Sequence, residues 1–169
     1  NTDPKKNTKG TLKAFSDFLK QTGSSHKLVM LDYDKTELNK LLIEINDPNL
    51  INHIVLTGYV INTDLPSIYS QCDVFLYPSL RESFGIPMLE AMACNVPVIT
   101  SNTSSMPEVS GEAAHIINPF NPDEITQGLI EILNNKVYRK SLRDKGLERG
   151  KQFSWKNMAT DYLKLYKLI

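Results

Sequence analysis

Residues 74–100 read VFLYPSLRESFGIPMLEAMACNVPVIT, and the order of residue types in this stretch decides the fold. Val74–Tyr77 is an apolar run of strand length, Val96–Thr100 is another, and Pro87–Ala93 between them carries a helical pattern. Short apolar runs without strict alternation are what strands buried on both faces require. Strand, loop, helix and strand together form the unit from which parallel sheets with right-handed crossovers are built. Pro87 falls in the first helical turn, where its missing N–H would have no partner in any case.

The same alternation recurs on both sides. Strand-like runs stand at Lys27–Leu31, His53–Thr57 and Ala113–Ile117, and helical patterns at Thr8–Gln21, Glu37–Ile45 and Leu65–Gln71, with a brief turn at Pro107–Ser110. After the last strand come Pro122–Asn134, Tyr138–Gln152 and Lys156–Leu168, all helical. This predicts an α/β fold, a Rossmann-like parallel sheet flanked by helices, as one unit over residues 1–169 that includes C-terminal helices at 122–169. A length of 169 residues with 41% apolar side chains suffices for one core. The first helix is preceded only by a Lys-rich turn, whereas a doubly wound sheet ordinarily opens with a strand. Either the sheet has five strands or its first strand has been truncated, and the second expectation is preferred.

Composition narrows the function. The 19 basic and 19 acidic residues balance, but unevenly: residues 61–135 carry one cation against nine carboxylates, and residues 136–169 carry ten against three. Arg81 is the only cation of that acidic middle, which does not suit the cationic face that nucleic acid demands. No apolar run is long enough to span a membrane, and the polar start lacks the apolar core of a secretion signal. Cys72 and Cys94 make no disulfide framework and no zinc cage. A cytoplasmic setting is the expectation, with contact at the inner face of the membrane as a lesser one.

In open parallel sheets ligands bind beyond the carboxyl ends of the strands, so the loops Asp32–Thr36, Gly58–Thr63, Pro78–Gly85 and Ser101–Pro107 are where chemistry is expected. The third is the informative one. The N–H groups of Phe84, Gly85 and Ile86 are expected to point outward from a positive helix end, with Gly85 admitting close approach of a ligand. Glu82 in the loop and Glu90 early in the helix can flank one ligand, and carboxylates accept paired hydrogen bonds from neighbouring sugar hydroxyls. A glutamate near a helix start is also favoured by the macrodipole alone, by ~0.3–1 kcal/mol.

The surroundings of the two glutamates add a resemblance. The run ESFGIPMLEAMACNVPVITS, from Glu82 to Ser101, resembles the signature of family 4, or group 1, glycosyltransferases, which have the two-domain GT-B fold. Tyr69–Tyr77 is similar to the helix and strand that precede that signature, Met106–Val109 and Ala113–Asn118 to the segments on its far side, and Pro4–Asn7 to the loop after the first strand of the carboxyl domain. The resemblance implies the donor-binding half of such an enzyme, with its amino-terminal acceptor domain absent and the fragment alone inactive. It implies that Glu90 holds the ribose of a nucleotide sugar, and that Glu82, acting as the catalytic carboxylate, meets the donor sugar together with Phe84 and Gly85. Lys6, with Lys5 adjacent, matches the lysine that binds the diphosphate. An arginine commonly stands five residues earlier, where this chain has Asn1, so that Lys5 or Arg81 is left to help. Expected further are a nucleotide-sugar co-substrate, no metal, no nucleic acid, retention of configuration, and a role in polysaccharide synthesis.

Other residues carry weaker expectations. Asp32-Tyr33-Asp34 spells the pattern that metal-dependent glycosyltransferases of another fold use, yet aspartates near turns commonly serve local hydrogen bonds. Tyr59 is placed to stack on a nucleobase or to serve structure, and Ser101–Met106 to donate hydroxyls to phosphates or to form a plain turn. Glu108 reads as a helix-start acid or, less favoured, a ligand contact, and His26, His53 and His115 read as structural. Trp155, Met158, Ala159, Tyr162, Leu165, Tyr166 and Ile169 form an apolar stripe with Lys156, Lys164 and Lys167 elsewhere, which suits packing against its own protein more than lying on an anionic membrane. Two other functions fit parts of this pattern: an epimerase of the same architecture, and a binding module with a vestigial pocket.

Overall fold

The computed structural model describes residues 3–167; Asn1, Thr2, Leu168 and Ile169 lie outside the described residues. A 3-10 turn at Pro4–Lys6 leads into α1 (Thr8–Thr22), β1 (Leu28–Met30) and α2 (Lys35–Glu44). A second 3-10 turn, Pro48–His53, precedes β2 (Ile54–Leu56), α3 (Leu65–Tyr69), β3 (Phe75–Tyr77), α4 (Ile86–Ala93), β4 (Val98–Ser101), α5 (Met106–Ser110) and β5 (Ala114–Ile117). Three helices close the chain: α6 (Pro122–Asn134), α7 (Lys136–Gln152) and α8 (Trp155–Tyr166). Each expected strand and helix is present. Val96 and Pro97 stop short of β4 because Pro97 has no N–H to enter a ladder; its carbonyl instead accepts from Phe75 N at 2.9 Å.

All pairings are parallel. Leu28 lies opposite Ile54 in β1–β2, Phe75 opposite Val98, and Val98 opposite Ala114 in β3–β4–β5. The expected single sheet is divided in two, because β1 and β3 share no ladder among the described residues. Both strands line one cavity of about 490 Å3, walled by Leu28, Met30, Phe75, Tyr77 and the α1 side chains Phe15 and Phe18. In a sheet of order 3-2-1-4-5-6 this gap occupies the place of the first strand.

Side chains alternate across the larger sheet with the period of two that strands impose. Ile99 and Ile117 join Leu12, Phe15, Leu38 and Ile125 under α1, α2 and α6. Val98 and Ala114 join Met88, Met92 and Met106 under α3, α4 and α5. Burial on both faces is realised for β4, whose four residues are all buried, but not for β1 and β2. There Val29 and Val55 remain exposed, since the helices of the second face cover only β3–β5. A buried hydrogen bond from the Thr126 hydroxyl to Ala14 O, 3.1 Å, ties α6 to α1.

The terminal stripe departs from expectation too. No residue of α8 is buried, and Trp155, Met158, Tyr162, Leu165 and Tyr166 face solvent rather than the rest of the chain. No helix among the described residues is long and apolar enough to cross a membrane.

Candidate active site

Parallel strands deliver all their carboxyl ends to one side, and the Lys6 turn is fastened there by three backbone-directed bonds. Leu80 N donates to Lys5 O at 2.7 Å, and Asn7 Nδ2 donates to Pro78 O at 3.1 Å and to Pro119 O at 2.7 Å. Asn7 therefore bridges the loops after β3 and β5. It sits in the left-handed region, φ 56°, which asparagine tolerates better than most residues. A Cβ on Gly10 would stand 2.5 Å from Asn7 Oδ1, so glycine keeps the space that this side chain fills.

Held in this way, Lys6 Nζ meets Glu82 Oε1 at 2.6 Å, with the side chains only 27% and 11% exposed. The ammonium also lies 5.3 Å from the centroid of the Tyr77 ring, within cation–π range. Burial pushes the Glu82 carboxyl pKa up. Hydrogen bonds from Lys6 and from the Ser79 and Tyr77 hydroxyls, with the Lys6 charge, outweigh that and hold it below the ordinary 4.5. Tyr77, buried and facing this carboxylate, has its own pKa driven up, chiefly by burial.

Glu90 occupies different surroundings. It projects from α4, half-buried, and accepts a hydrogen bond from the Tyr69 hydroxyl at 3.2 Å. Burial, then the neighbouring Glu90 charge, raises the Tyr69 pKa, so this phenol stays a donor. The two corners share an aromatic row: Tyr69 meets Phe75 edge-on at 5.3 Å, and Phe75 stacks on Tyr77 at 5.9 Å.

Between them Gly85 stands at the N-cap position of α4, and its φ of 103° is a conformation that side chains rarely adopt. The backbone N–H groups of Phe84, Gly85 and Ile86 donate to no other described residue and stand at the positive end of the helix, but Gly85 is itself buried, and a Cβ there would stand 3.5 Å from Met88 and 3.6 Å from Tyr77. The Phe84 side chain turns the other way, packing edge-on against Phe153 at 5.6 Å, while Ile86 is exposed.

The loop's shape is fixed by hydroxyls from β4 and its extension. Thr100 donates to Tyr77 O (3.1 Å), Ser101 to Ser79 O (2.6 Å), Thr103 to Leu80 O (3.0 Å) and Ser104 to Glu82 O (2.6 Å). Ser105 reaches both Glu82 O and Phe84 O at 3.1 Å. These hydroxyls form neither a plain turn nor a free donor set: they are spent on the carbonyls of residues 77–84.

Several expected residues stay apart. Lys5 pairs with Asp3 at 3.1 Å, Arg81 is exposed with no polar partner among the described residues, and Tyr59 is 78% exposed. Asp34 caps α2 by accepting from Glu37 N at 2.8 Å, and Asp32 N bonds Gly58 O at 2.9 Å. No three His, Cys, Asp or Glu that could hold a metal come together among the described residues. Glu108 is exposed on α5, where its carbonyl is bound by Arg149. His115 bonds the Tyr138 hydroxyl at 3.0 Å and His53 the carbonyl of His26 at 3.3 Å, both structural contacts. Neither Glu82 nor Glu90 lines the 490 Å3 cavity, but the partners of Glu82, namely Lys6, Tyr77 and Ser79, do. Asn7 and Tyr69 are the site residues to which sequence reasoning assigns no role. A loop asparagine just ahead of a helix is the one available signal for the first.

Comparison with known proteins agrees with this architecture. The family described as glycosyl transferases group 1 matches residues 1–149, and the chain belongs to it. It is 36% identical to the O-antigen chain mannosyltransferase B of Escherichia coli over 167 residues, 99% of this chain but 44% of that protein. The chain thus spans less than half the length of that curated relative. Among solved structures, sucrose-phosphate synthase from Thermosynechococcus elongatus superimposes with a TM-score of 0.80 at 23% identity, over 98% of this chain and 43% of that one. The C-terminal domain of a group 1 glycosyl transferase from Francisella tularensis gives 0.75 at 22% identity, covering 88% and 80%. The latter two speak to the fold.

Proposed function

We propose that this chain is the donor-binding half of an enzyme that transfers a hexose from a nucleotide sugar to a glycan or lipid-linked saccharide, the acceptor being held by a second domain. The observation that carries the reading is the meeting of Lys6, Glu82 and the uncapped start of α4 at the carboxyl end of the sheet. Departure of a nucleoside diphosphate builds negative charge on phosphate oxygens. A fixed ammonium beside a helix N-terminus stabilises that charge as it develops, without a metal. Glu90, with its second oxygen unengaged by any described side chain, takes the ribose hydroxyls; Glu82 meets the sugar together with the backbone at Phe84 and Gly85. The mannosyltransferase relative supports mannose as the sugar and polysaccharide synthesis as the setting. Retention of configuration and inactivity of this half alone follow from the family resemblance.

A thermal-shift panel of uridine, guanosine and adenosine diphosphates with their mannosyl and glucosyl esters tests this. At 100 times its dissociation constant the right donor adds ~2.7 kcal/mol to stability, several degrees in Tm. A flat response across the panel would remove the donor site. In the whole enzyme, activity that survives a chelator separates Lys6 chemistry from metal chemistry.

A further inference from the structure

The cation assigned to the diphosphate and the carboxylate assigned to the sugar are joined to each other at 2.6 Å. Three features make this pair part of the site's build rather than a surface accident. Both side chains are largely buried, the turn carrying Lys6 is fastened by Asn7 and by Leu80 N, and the Tyr77 ring lies under the ammonium. Exposed pairs elsewhere, such as Lys9–Glu44, have none of this support.

We infer that the Lys6–Glu82 pair makes the site discriminate against a bare nucleoside diphosphate in favour of the sugar-bearing donor. The inference rests on the reading above, in which Lys6 meets the diphosphate and Glu82 the sugar. A diphosphate drawn to Lys6 is brought beside the Glu82 carboxylate, and two anions close together in a poorly solvated place repel. An ammonium has three donor hydrogens, so sharing Lys6 is sterically open, but sharing does not remove that repulsion. A complete donor supplies sugar hydroxyls that donate to Glu82, replacing the bond it gives up and keeping its charge satisfied. A bare nucleoside diphosphate brings no such hydroxyls to the carboxylate. The same carboxylate therefore aids binding of the substrate and opposes retention of the product, which favours product release.

Glu82→Gln gives the test, because it keeps the shape and removes the charge. By calorimetry on the best nucleotide of the panel, the substitution is expected to tighten the nucleoside diphosphate about threefold to tenfold, and to weaken its sugar ester by at least as much. Weakening of both ligands, or an unchanged diphosphate affinity, overturns the inference while leaving the donor site intact. Failure of every ligand on the unsubstituted protein overturns the donor-site reading itself. A readout that needs no substitution is the set of Lys6 ε-methylene proton signals, ring-shifted by Tyr77. They should move on titration with the nucleoside diphosphate and stay fixed with the nucleoside alone; signals fixed in both titrations also overturn the inference.

Discussion

The two glutamates of the signature are chemically identical and eight positions apart, yet the protein treats them oppositely. Glu82 stands in a loop, receives an ammonium and two hydroxyls, and has its carboxyl pKa pulled down against the effect of burial. Glu90 stands on a helix, and its one side-chain partner among the described residues is the neutral Tyr69 hydroxyl. One carboxylate is held by an ammonium; the other is oriented by a single neutral hydroxyl. On the proposed donor-binding function, affinity at the first would be conditional on what else the ligand brings, whereas affinity at the second would be available to any ribonucleotide.

The sharpest way to break this contrast is Glu90→Gln. Hydrogen bonds to a charged group are worth ~1.5–3 kcal/mol, so calorimetry should record about a 10- to 100-fold loss for nucleoside diphosphate and nucleotide sugar alike. Equal binding of wild type and variant would remove Glu90 from the site.

Next in size is Asn7→Ala, which acts on the scaffold of the other corner. It strips the carbonyls of Pro78 and Pro119 of a donor, and urea denaturation should show ~1–3 kcal/mol of lost stability, with donor affinity falling alongside. An intact affinity in that variant would mean that the Lys6 turn holds its shape unaided.

Tyr69→Phe is a finer probe of the helical corner, because it deletes one hydroxyl and keeps the ring on Phe75. About a threefold to tenfold loss is expected for ribonucleotides, and none for a 2′,3′-dideoxy nucleotide that offers Glu90 nothing to grip. Equal losses with both nucleotides would show that the hydroxyl serves packing instead.

The smallest effect concerns pH. A carboxyl whose folded pKa lies below its unfolded value adds stability that is fully present above the unfolded value and is lost as pH falls through the folded one. For Glu82 that loss begins below the ordinary 4.5. The unliganded wild type should exceed Glu82→Gln in Tm near neutrality by a margin worth less than ~1 kcal/mol, given the partial exposure of Lys6, and the two should converge in acid. A margin that persists at low pH would have to come from packing.

How much of this is legible in the sequence depends on whether the information resides in residue type. Strand and helix positions follow from apolar spacing, so β1–β5 and α1–α8 fall where the pattern puts them. The lysine–glutamate meeting is legible as two residues sharing one sheet end, but not as a bond. The Tyr69–Glu90 contact is not, because it depends on how α3 packs beside α4, which no local spacing encodes. Likewise Thr100 to Ser105 read plainly as a run rich in hydroxyls, but the acceptors they choose are carbonyls, and every residue type carries one. Two expectations fail for a common reason. The double burial of β1 and β2, and the docking of α8 against its own chain, both require a neighbouring layer that periodicity cannot count.

The acceptors of that hydroxyl seam have a consequence for how such a protein diversifies. Because Thr100, Ser101, Thr103, Ser104 and Ser105 hold the 77–84 loop by atoms common to all amino acids, the trace of the loop is insulated from the identity of its exposed side chains. The exposed side chains of Arg81 and Ser83 can be exchanged while the peptide path of the loop is inherited unchanged.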